Sequence, residues 1–352
     1  RKLCGTKREG LETYRCLLSR MSTRTCPSGN ALEEVLDTYL YDCQERAREK
    51  GLAEDGEILE DILESGQAIR KKIEALPHGY DFYETLLQYI RGYLLKEPER
   101  KNHALRWMRG EYRNRTEAKK ALGVNAVITD GDWFSYMKIW ALFAREIGYT
   151  GIYLLLDELT QITRNIVHAV TREHNFERLL SIYNDCYGNE ARYMGIILCG
   201  IPSSIHDRKR GIFSYEALKS RLSNSALQGD EIYHAPIIRL SMLTPEEFTA
   251  LLERLEQMHA LLHEREEYFS EEERIRFVDY EYRRIAAANH LTPREFIRDF
   301  LTILDLKSDV RLKDRMEDFL RGEKGIRMSS SMIGAEDAEG AAGGGKYEGF
   351  TL

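Results

Sequence analysis

Two adjacent carboxylates follow a short apolar run near the middle of the chain, and their position suits them for chemistry. The run is 152–156, and Asp157 and Glu158 come directly after it. An unbroken apolar run is typical of a strand buried on both faces of a parallel sheet, and ligands bind at the carboxyl edge of such sheets. There, one carboxylate can hold Mg²⁺ while the next polarises a water molecule that attacks a phosphoryl group. The alternative is that Asp157 and Glu158 only cap the following helix.

Three further residues could assist at such a site. Ser203 follows the next apolar run, 194–199, and its hydroxyl could face a γ-phosphate, although Ser-Ser after Pro is also an ordinary turn. Arg221 ends a short helical pattern, where it could stabilise phosphoryl charge across a subunit interface or be a surface arginine favoured by the helix dipole. Arg294 lies at the start of a late helix, where the dipole disfavours a cation, so a phosphate contact is the functional interpretation.

Several other chemistries are excluded. The sequence has no HExxH, GxSxG or Rossmann GxGxxG motif and no Cys/His cluster at metal-ligand spacing. Its one GxxxxGK match, 340–346, has no strand before it and no room for a helix after it, so we reject it as a phosphate loop. The net charge of -7 argues against a general affinity for polyanions, and no run of apolar residues is long enough to span a membrane. The six cysteines contain no CxxC pair, which favours a reduced, cytoplasmic location.

Hydrophobic spacing divides the 352 residues into four regions. Residues 1–120 predict amphipathic helices. Residues 121–243 alternate apolar runs with helical spacing, and the third run is 237–240. This alternation predicts an α/β fold with a parallel sheet. Residues 244–322 return to helix, and 323–352 are rich in Ser, Gly, Ala and Glu, which predicts a disordered tail.

Two helix starts carry recognisable capping signals. Thr244 is followed by Pro245 and two acids, which places a hydroxyl cap, a first-position proline and first-turn carboxylates together. Asn30 is followed three residues later by Glu33, a spacing typical of a capping pair. We therefore expect helices to begin just after Thr244 and just after Asn30.

Several segments, taken in order, resemble the ATP-binding proteins of bacterial BREX-type phage-defence systems, a BrxD-like branch of the AAA+ P-loop ATPases. The segments that carry this resemblance are Leu105–Glu111, Asp132–Lys138, Gly148–Gly151 leading into the Asp157-Glu158 strand, Arg210–Leu218, Thr292–Phe300 and Gly349–Leu352. The resemblance implies an AAA+ type P-loop core with a parallel sheet, a large helical insertion within 1–120 and a C-terminal helical lid. It also implies ATP and Mg²⁺ as ligands.

Carried over residue by residue, the resemblance assigns roles to the same side chains. Asp157 and Glu158 correspond to the Walker B pair, with Asp157 binding Mg²⁺ and Glu158 orienting the attacking water. Arg221 corresponds to the arginine finger and Arg294 to the second sensor. Ser203 corresponds to a polar group facing the nucleotide. The resemblance thus implies catalytic roles for Glu158 and Arg221.

Two departures from the family pattern modify this expectation. Where the family has Gly-Thr-Pro, this chain has Gly-Ile-Pro, so the hydroxyl expected at Ile201 is missing. The family's Walker A loop lies upstream of a segment like residues 1–30 and has no counterpart here. We therefore expect an N-terminally truncated chain that, as it stands, binds ATP poorly.

Three functions remain open at this point. The first is an ATP-hydrolysing molecular switch in BREX-type defence that forms a homo-oligomer through Arg221. The second is a non-hydrolysing AAA+-like scaffold that recruits a helicase or other defence proteins, which the missing hydroxyl at Ile201 favours. The third is a DNA-binding, initiator-like switch using the basic runs 208–210 and 311–315, although such runs are usually solvated faces.

Overall fold

The computed structural model describes residues 2–5, 7–223, 236–240, 243–263, 269–286 and 293–308. Within these ranges the chain is mostly helical and carries one small sheet. The helices are α1 (Glu9–Ser19), α2 (Leu32–Glu49), α3 (Asp55–Ser65), α4 (Gln67–Glu74), α5 (Gly79–Leu94), α6 (Pro98–Met108), α7 (Arg115–Leu122), α8 (Trp133–Glu146), α9 (Ala169–Tyr187), α10 (Pro202–His206), α11 (Glu216–Leu222), α12 (Pro245–Leu262), α13 (Glu271–Ala286) and α14 (Pro293–Ser308). The strands are β1 (Ile152–Leu156) and β2 (Met194–Leu198), and short 3₁₀ turns cover Leu159–Gln161 and Ile212–Ser214.

The two strands form a parallel pair. Their register aligns Ile152 with Met194 and Leu156 with Leu198, and α9 lies between them in the chain. This arrangement confirms the predicted α/β class with a parallel sheet. The third predicted strand, 237–240, is wrong, because these residues form an irregular segment in which Leu240 is 91% exposed. The run is short and is interrupted by Arg239, and the sheet of the described residues consists of β1 and β2.

The prediction that the β1 run is buried on both faces is also wrong. Leu154 is buried, whereas Tyr153 is 74% and Leu155 is 66% exposed, and Ile197 on β2 is exposed as well. Alternate side chains of a strand point to opposite faces. The face that carries Leu154 packs on the helical core, and the other face has no covering layer among the residues described here.

A single core joins the N-terminal helices to the sheet. Its largest fully buried side chains include Trp107, Trp133 and Trp140. The Tyr14 hydroxyl on α1 donates a hydrogen bond to the carbonyl of Met108 (2.7 Å) and accepts one from Nε1 of Trp140 (3.1 Å). These buried bonds connect α1, α6 and α8, so the sheet rests on a helical scaffold whose polar atoms are paired at this point.

The first residues are attached to this scaffold by two polar side chains. Asn175 on α9 accepts hydrogen bonds from the backbone N–H groups of Leu3 (2.8 Å) and Cys4 (3.2 Å). Asp130 accepts hydrogen bonds from the backbone N–H groups of Gly5 (3.1 Å) and Leu11 (3.2 Å), the latter in the first turn of α1. A carboxylate at the N-terminus of a helix satisfies N–H groups that have no partner within the helix. Asp130 therefore performs for α1 the role of an N-cap, although it is far away in the sequence.

The chain divides into two compact units, Arg1–Ile238 and Arg239–Leu352. The described core of the second unit consists of α12, α13 and α14, packed around Phe248, Phe277 and Phe300. The tail predicted at 323–352 lies outside the described residues, as does the GxxxxGK match, and the four-region division stays a prediction. In the part of the chain that is described, no helix combines the length and apolar character needed to cross a bilayer.

The two capping predictions have opposite outcomes. The Thr244 prediction is confirmed, because its hydroxyl accepts from the N–H of Glu247 (3.2 Å) while the Glu247 carboxylate accepts from the N–H of Thr244 (2.8 Å). The Asn30 prediction is wrong, because Ala31 occupies the N-cap of α2 and no side chain caps that helix. Asn30 has a left-handed backbone (φ 61°), whereas a capping residue has an extended one.

Candidate functional site

Asp157 and Glu158 leave the carboxyl end of β1 and are both exposed. Asp157 Oδ1 accepts a hydrogen bond from the backbone N–H of Glu158 (2.7 Å), and Glu158 Oε2 accepts one from Nε2 of Gln161 (3.1 Å). The alternative that this pair caps the following helix is wrong. Glu158 precedes only a 3₁₀ turn and makes no capping hydrogen bond, and α9 begins at Ala169 without a side-chain cap. Two solvent-accessible carboxylates thus stand at the sheet edge where ligands bind in open α/β folds.

The backbone at Glu158 is left-handed, with φ 57° and ψ 59°. This conformation costs a residue other than glycine about 1–2 kcal/mol. It is held by two backbone hydrogen bonds between the strand ends, from the N–H of Cys199 to the carbonyl of Leu156 (2.9 Å) and from the N–H of Leu159 to the carbonyl of Cys199 (2.9 Å). Strain of this kind persists where the surroundings impose it, and it clusters at functional sites.

The end of β2 brings further polar groups to the same edge. Ser203, in the first turn of α10, is half-buried, and its Oγ accepts a hydrogen bond from Nη1 of Arg164 (3.3 Å). Arg164 lies between β1 and α9, six residues after Glu158 in the chain. Ile201, which precedes the helix, is 48% exposed. Because Leu156 and Leu198 are paired, the segments that follow them both start from the carboxyl edge of the sheet.

A groove of about 940 Å³ runs beside β1 and reaches the two carboxylates. Its walls come from α1, from the segment after α1, from α8 and from β1 itself. Most of the lining is apolar, with Thr13, Arg20 and Thr23 among the polar exceptions and Asp157 and Glu158 at the end of the strand. A mostly apolar concavity with a few polar groups is the usual form of a small-molecule site.

The predicted arginine of the first unit, Arg221, is not brought to this edge. Arg221 is exposed, and its Nε donates to Oδ1 of Asn184 (3.2 Å) near the end of α9. That end of α9 leads towards the amino end of β2, whereas Asp157 and Glu158 follow the carboxyl end of β1. Arg294 is exposed in the first turn of α14, in the second compact unit.

Sequence reasoning missed two polar residues on the first unit. Arg164 carried no motif, and only its place shortly after the Asp-Glu pair could have drawn attention to it. Asp207 closes the loop after α10 by accepting hydrogen bonds from the backbone N–H groups of Lys209 (2.7 Å) and Arg210 (3.1 Å). These backbone hydrogen bonds lower the pKa of Asp207 below its usual value. The basic run 208–210 is thus fixed in a turn on the surface, with its three side chains exposed.

Comparison with known proteins decides the family. Residues 1–319 match the family described as BREX system ATP-binding protein BrxC/D. The chain belongs to this BrxC/D family. The match covers the first compact unit and the second as far as residue 319, and it includes Asp157, Glu158, Ser203, Arg221 and Arg294. No curated protein and no solved structure matches the chain.

Membership of the BrxC/D family implies an ATP-binding role in a BREX defence system, with partners among the proteins of that system. The carboxylate pair on β1 is the part of the described structure whose chemistry suits such a ligand. Nucleoside triphosphates carry Mg²⁺ on their phosphate oxygens, and carboxylates are among the oxygen ligands that bind this ion.

Proposed function

We propose that this chain is the ATP-hydrolysing part of an AAA+ switch that acts in BREX-type defence in the cytoplasm. The observation that carries the proposal is the placement of Asp157 and Glu158, exposed at the carboxyl end of a parallel strand, in a chain of an ATP-binding family. An acidic pair at this position can organise Mg²⁺ and the water that attacks the γ-phosphate.

Asp157 and Glu158 have different roles in the proposed site. Asp157 would hold Mg²⁺, directly or through water, and its exposed carboxylate is a hard oxygen donor of the kind this ion prefers. When bound, Mg²⁺ neutralises charge on the phosphate oxygens. Glu158 orients the attacking water, and its carboxylate is exposed just beyond the end of the strand. Gln161, bonded to Glu158, holds that carboxylate in place.

Ser203 and Arg294 complete the proposed nucleotide contacts. Ser203 supplies a hydroxyl near the γ-phosphate, and Arg164 positions it through their hydrogen bond. For Arg294 we propose the role of second sensor that the family resemblance implies. Each of these side chains contributes a hydrogen-bond donor, which suits a phosphate ligand.

Arg221 acts in the site of a neighbouring copy. Its bond to Asn184 holds it towards the end of α9 that leads to the amino end of β2. A position away from the carboxylates of its own chain favours a role in trans, in which the guanidinium stabilises charge on the transferred phosphoryl group. The proposal therefore includes a homo-oligomer.

A second candidate is a non-hydrolysing scaffold that recruits a helicase or another defence protein. The exposed apolar side chain of Ile201, at the position where the family resemblance implies a hydroxyl, favours it. The two candidates differ in their response to Arg221→Ala. In a switch, this substitution abolishes the activity of the protein while oligomers still form. In a passive scaffold, it leaves the activity unchanged. DNA contact through the run 208–210 is a third role, and it predicts binding that weakens steeply with salt.

Nucleotide binding tests the proposal most simply. In protein produced from the complete reading frame, we expect Mg²⁺ to strengthen the binding of a fluorescent ATP analogue. Asp157→Asn removes this Mg²⁺ effect, whereas Asp42→Asn, at an exposed aspartate on α2, leaves it intact. Equal Mg²⁺ dependence in the wild type and in Asp157→Asn would contradict the assignment of Asp157.

Mixing two inactive variants tests the role of Arg221. Chains with Glu158→Gln lack the water-orienting group, and chains with Arg221→Ala lack the finger, so each homo-oligomer is inactive. In mixed oligomers some interfaces combine an intact Glu158 with an intact Arg221, and hydrolysis should partly return. If mixed oligomers form but remain inactive, Arg221 does not act in trans.

A further inference from the structure

The second compact unit contains a cluster of three potential metal ligands that the proposed ATP chemistry does not use. His259 and His263 are one helical turn apart at the end of α12, and Asp305 lies near the end of α14. The ligand atoms of the three side chains all lie within 4.8 Å of one another. The cluster therefore joins two helices that are separate in the sequence.

The packing of α12 against α14 sets this arrangement. Phe248, near the start of α12, packs on Phe296, near the start of α14, with ring centroids 4.2 Å apart. His259 and Asp305 meet near the opposite ends of the same helices. The two helices thus run side by side in the same direction, and the contact between His259 and Asp305 joins their ligand-bearing ends.

The geometry of the cluster is close to that of a tetrahedral metal site. His259 Nε2 lies 3.1 Å from Asp305 Oδ1. Zinc–nitrogen and zinc–oxygen bonds of about 2.0–2.1 Å put neighbouring ligands of a tetrahedron about 3.3 Å apart. The ring of His263 is tilted by 38° against that of His259, with centroids 4.3 Å apart. The His263 ligand atom lies within 4.8 Å of the other two, and its side chain is exposed, so it is free of the packing that would prevent it from turning towards an ion.

The donor set selects the kind of ion. Imidazole nitrogens suit Zn²⁺ and its neighbours Co²⁺ and Ni²⁺, whereas Mg²⁺ and Ca²⁺ take oxygen ligands. His259 is only 8% exposed, which fixes its ring before any ion arrives. His263 occupies the C-cap of α12, where the negative end of the helix dipole favours a cation.

We propose that His259, His263 and Asp305 form a site for Zn²⁺ that ties the end of α12 to the end of α14. Three protein ligands leave a fourth position for water. The site lies wholly within the second compact unit and is independent of the carboxylates on β1.

Cobalt substitution provides the test. We expect the full chain to bind one Co²⁺ with the strong visible absorption of a tetrahedral nitrogen and oxygen site, and one equivalent of Zn²⁺ to displace it. His263→Gln should lower the affinity at least tenfold without loss of helical circular dichroism, because His263 is exposed. His168→Gln, at an exposed histidine in the first unit, should leave the affinity unchanged. Asp305→Asn should weaken binding as well.

Three results would overturn the proposal. The first is no Co²⁺ or Zn²⁺ binding by the wild type. The second is equal affinity in the wild type and His263→Gln. The third is a spectrum dominated by sulfur-to-cobalt charge transfer that His263→Gln does not change, since this would place the metal on cysteines.

Discussion

Asn175 offers a sharp test of how the first residues are attached to the fold. It is fully buried on α9. Its Oδ1 accepts from the N–H groups of Leu3 and Cys4, and its Nδ2 donates to the carbonyls of Cys4 (3.2 Å) and Thr171 (2.8 Å). One side chain thus satisfies three backbone groups of the N-terminal segment. Asn175→Ala removes all of these partners at once.

The cost of this substitution follows from the burial of the groups that it leaves unpaired. A buried donor without a partner costs about 1–3 kcal/mol. The hydrogen bond to the N–H of Leu3 is buried, whereas those that involve Cys4 are partly buried, so water can replace some of them. We therefore expect Asn175→Ala to lower the free energy of unfolding by about 3 kcal/mol.

Urea denaturation, monitored by tryptophan fluorescence, measures the free energy of unfolding of the first compact unit, which contains Asn175. The three tryptophans, Trp107, Trp133 and Trp140, are all buried in the first unit, so the signal reports its unfolding. Asn165→Ala, at an exposed asparagine, is the matched control and should change the free energy by less than about 0.5 kcal/mol. If Asn175→Ala is as stable as Asn165→Ala, the attachment does not contribute as the structure indicates.

Three further predictions concern buried tyrosines and use the same fluorescence signal. Tyr14→Phe should cost about 1–2 kcal/mol, because it removes the bonds to Met108 and Trp140. Tyr136→Phe should be neutral or stabilising, because the buried Tyr136 hydroxyl has no hydrogen-bond partner among the described residues. A loss of stability as large as that of Tyr14→Phe would contradict this prediction. Burial raises the pKa of Tyr83 to about 12, above the value of about 10 in an unfolded chain. The unfolded state therefore loses this proton first as the pH rises. The free energy of unfolding should be at its full value below pH 10 and fall between pH 10 and 12. If its slope against pH is unchanged in Tyr83→Phe, other groups cause the fall.

The sequence predicted the elements whose signals are local. The start of α12 follows from Thr244, because a hydroxyl, a proline and two acids act on the same helical turn. The pair β1 and β2 follows from two apolar runs separated by a helix, and Asp157 and Glu158 are exposed at the strand end where the pattern predicts them. In each case the signal that made the prediction lies within a short stretch of the chain, although the pairing of β1 with β2 itself joins residues as distant as Ile152 and Met194.

The features that the sequence did not predict depend on distant partners. Asp130 is distant from α1 in the sequence, and only the fold brings its carboxylate to the N–H groups of that helix. The exposure of Tyr153 depends on which layers cover the sheet, which an apolar run by itself does not specify. The Asn30 signal failed because a left-handed backbone placed Ala31 at the cap instead.

Hydrolysis of ATP by Glu158→Gln tests the central claim most directly. The amide keeps the size and the left-handed backbone of Glu158 and removes the charge that orients the water. In protein from the complete reading frame, we predict that kcat falls by about 100-fold or more while ATP still binds. Glu173→Gln, at an exposed glutamate on α9, should hydrolyse ATP at the wild-type rate. Hydrolysis by Glu158→Gln at the wild-type rate would contradict the account.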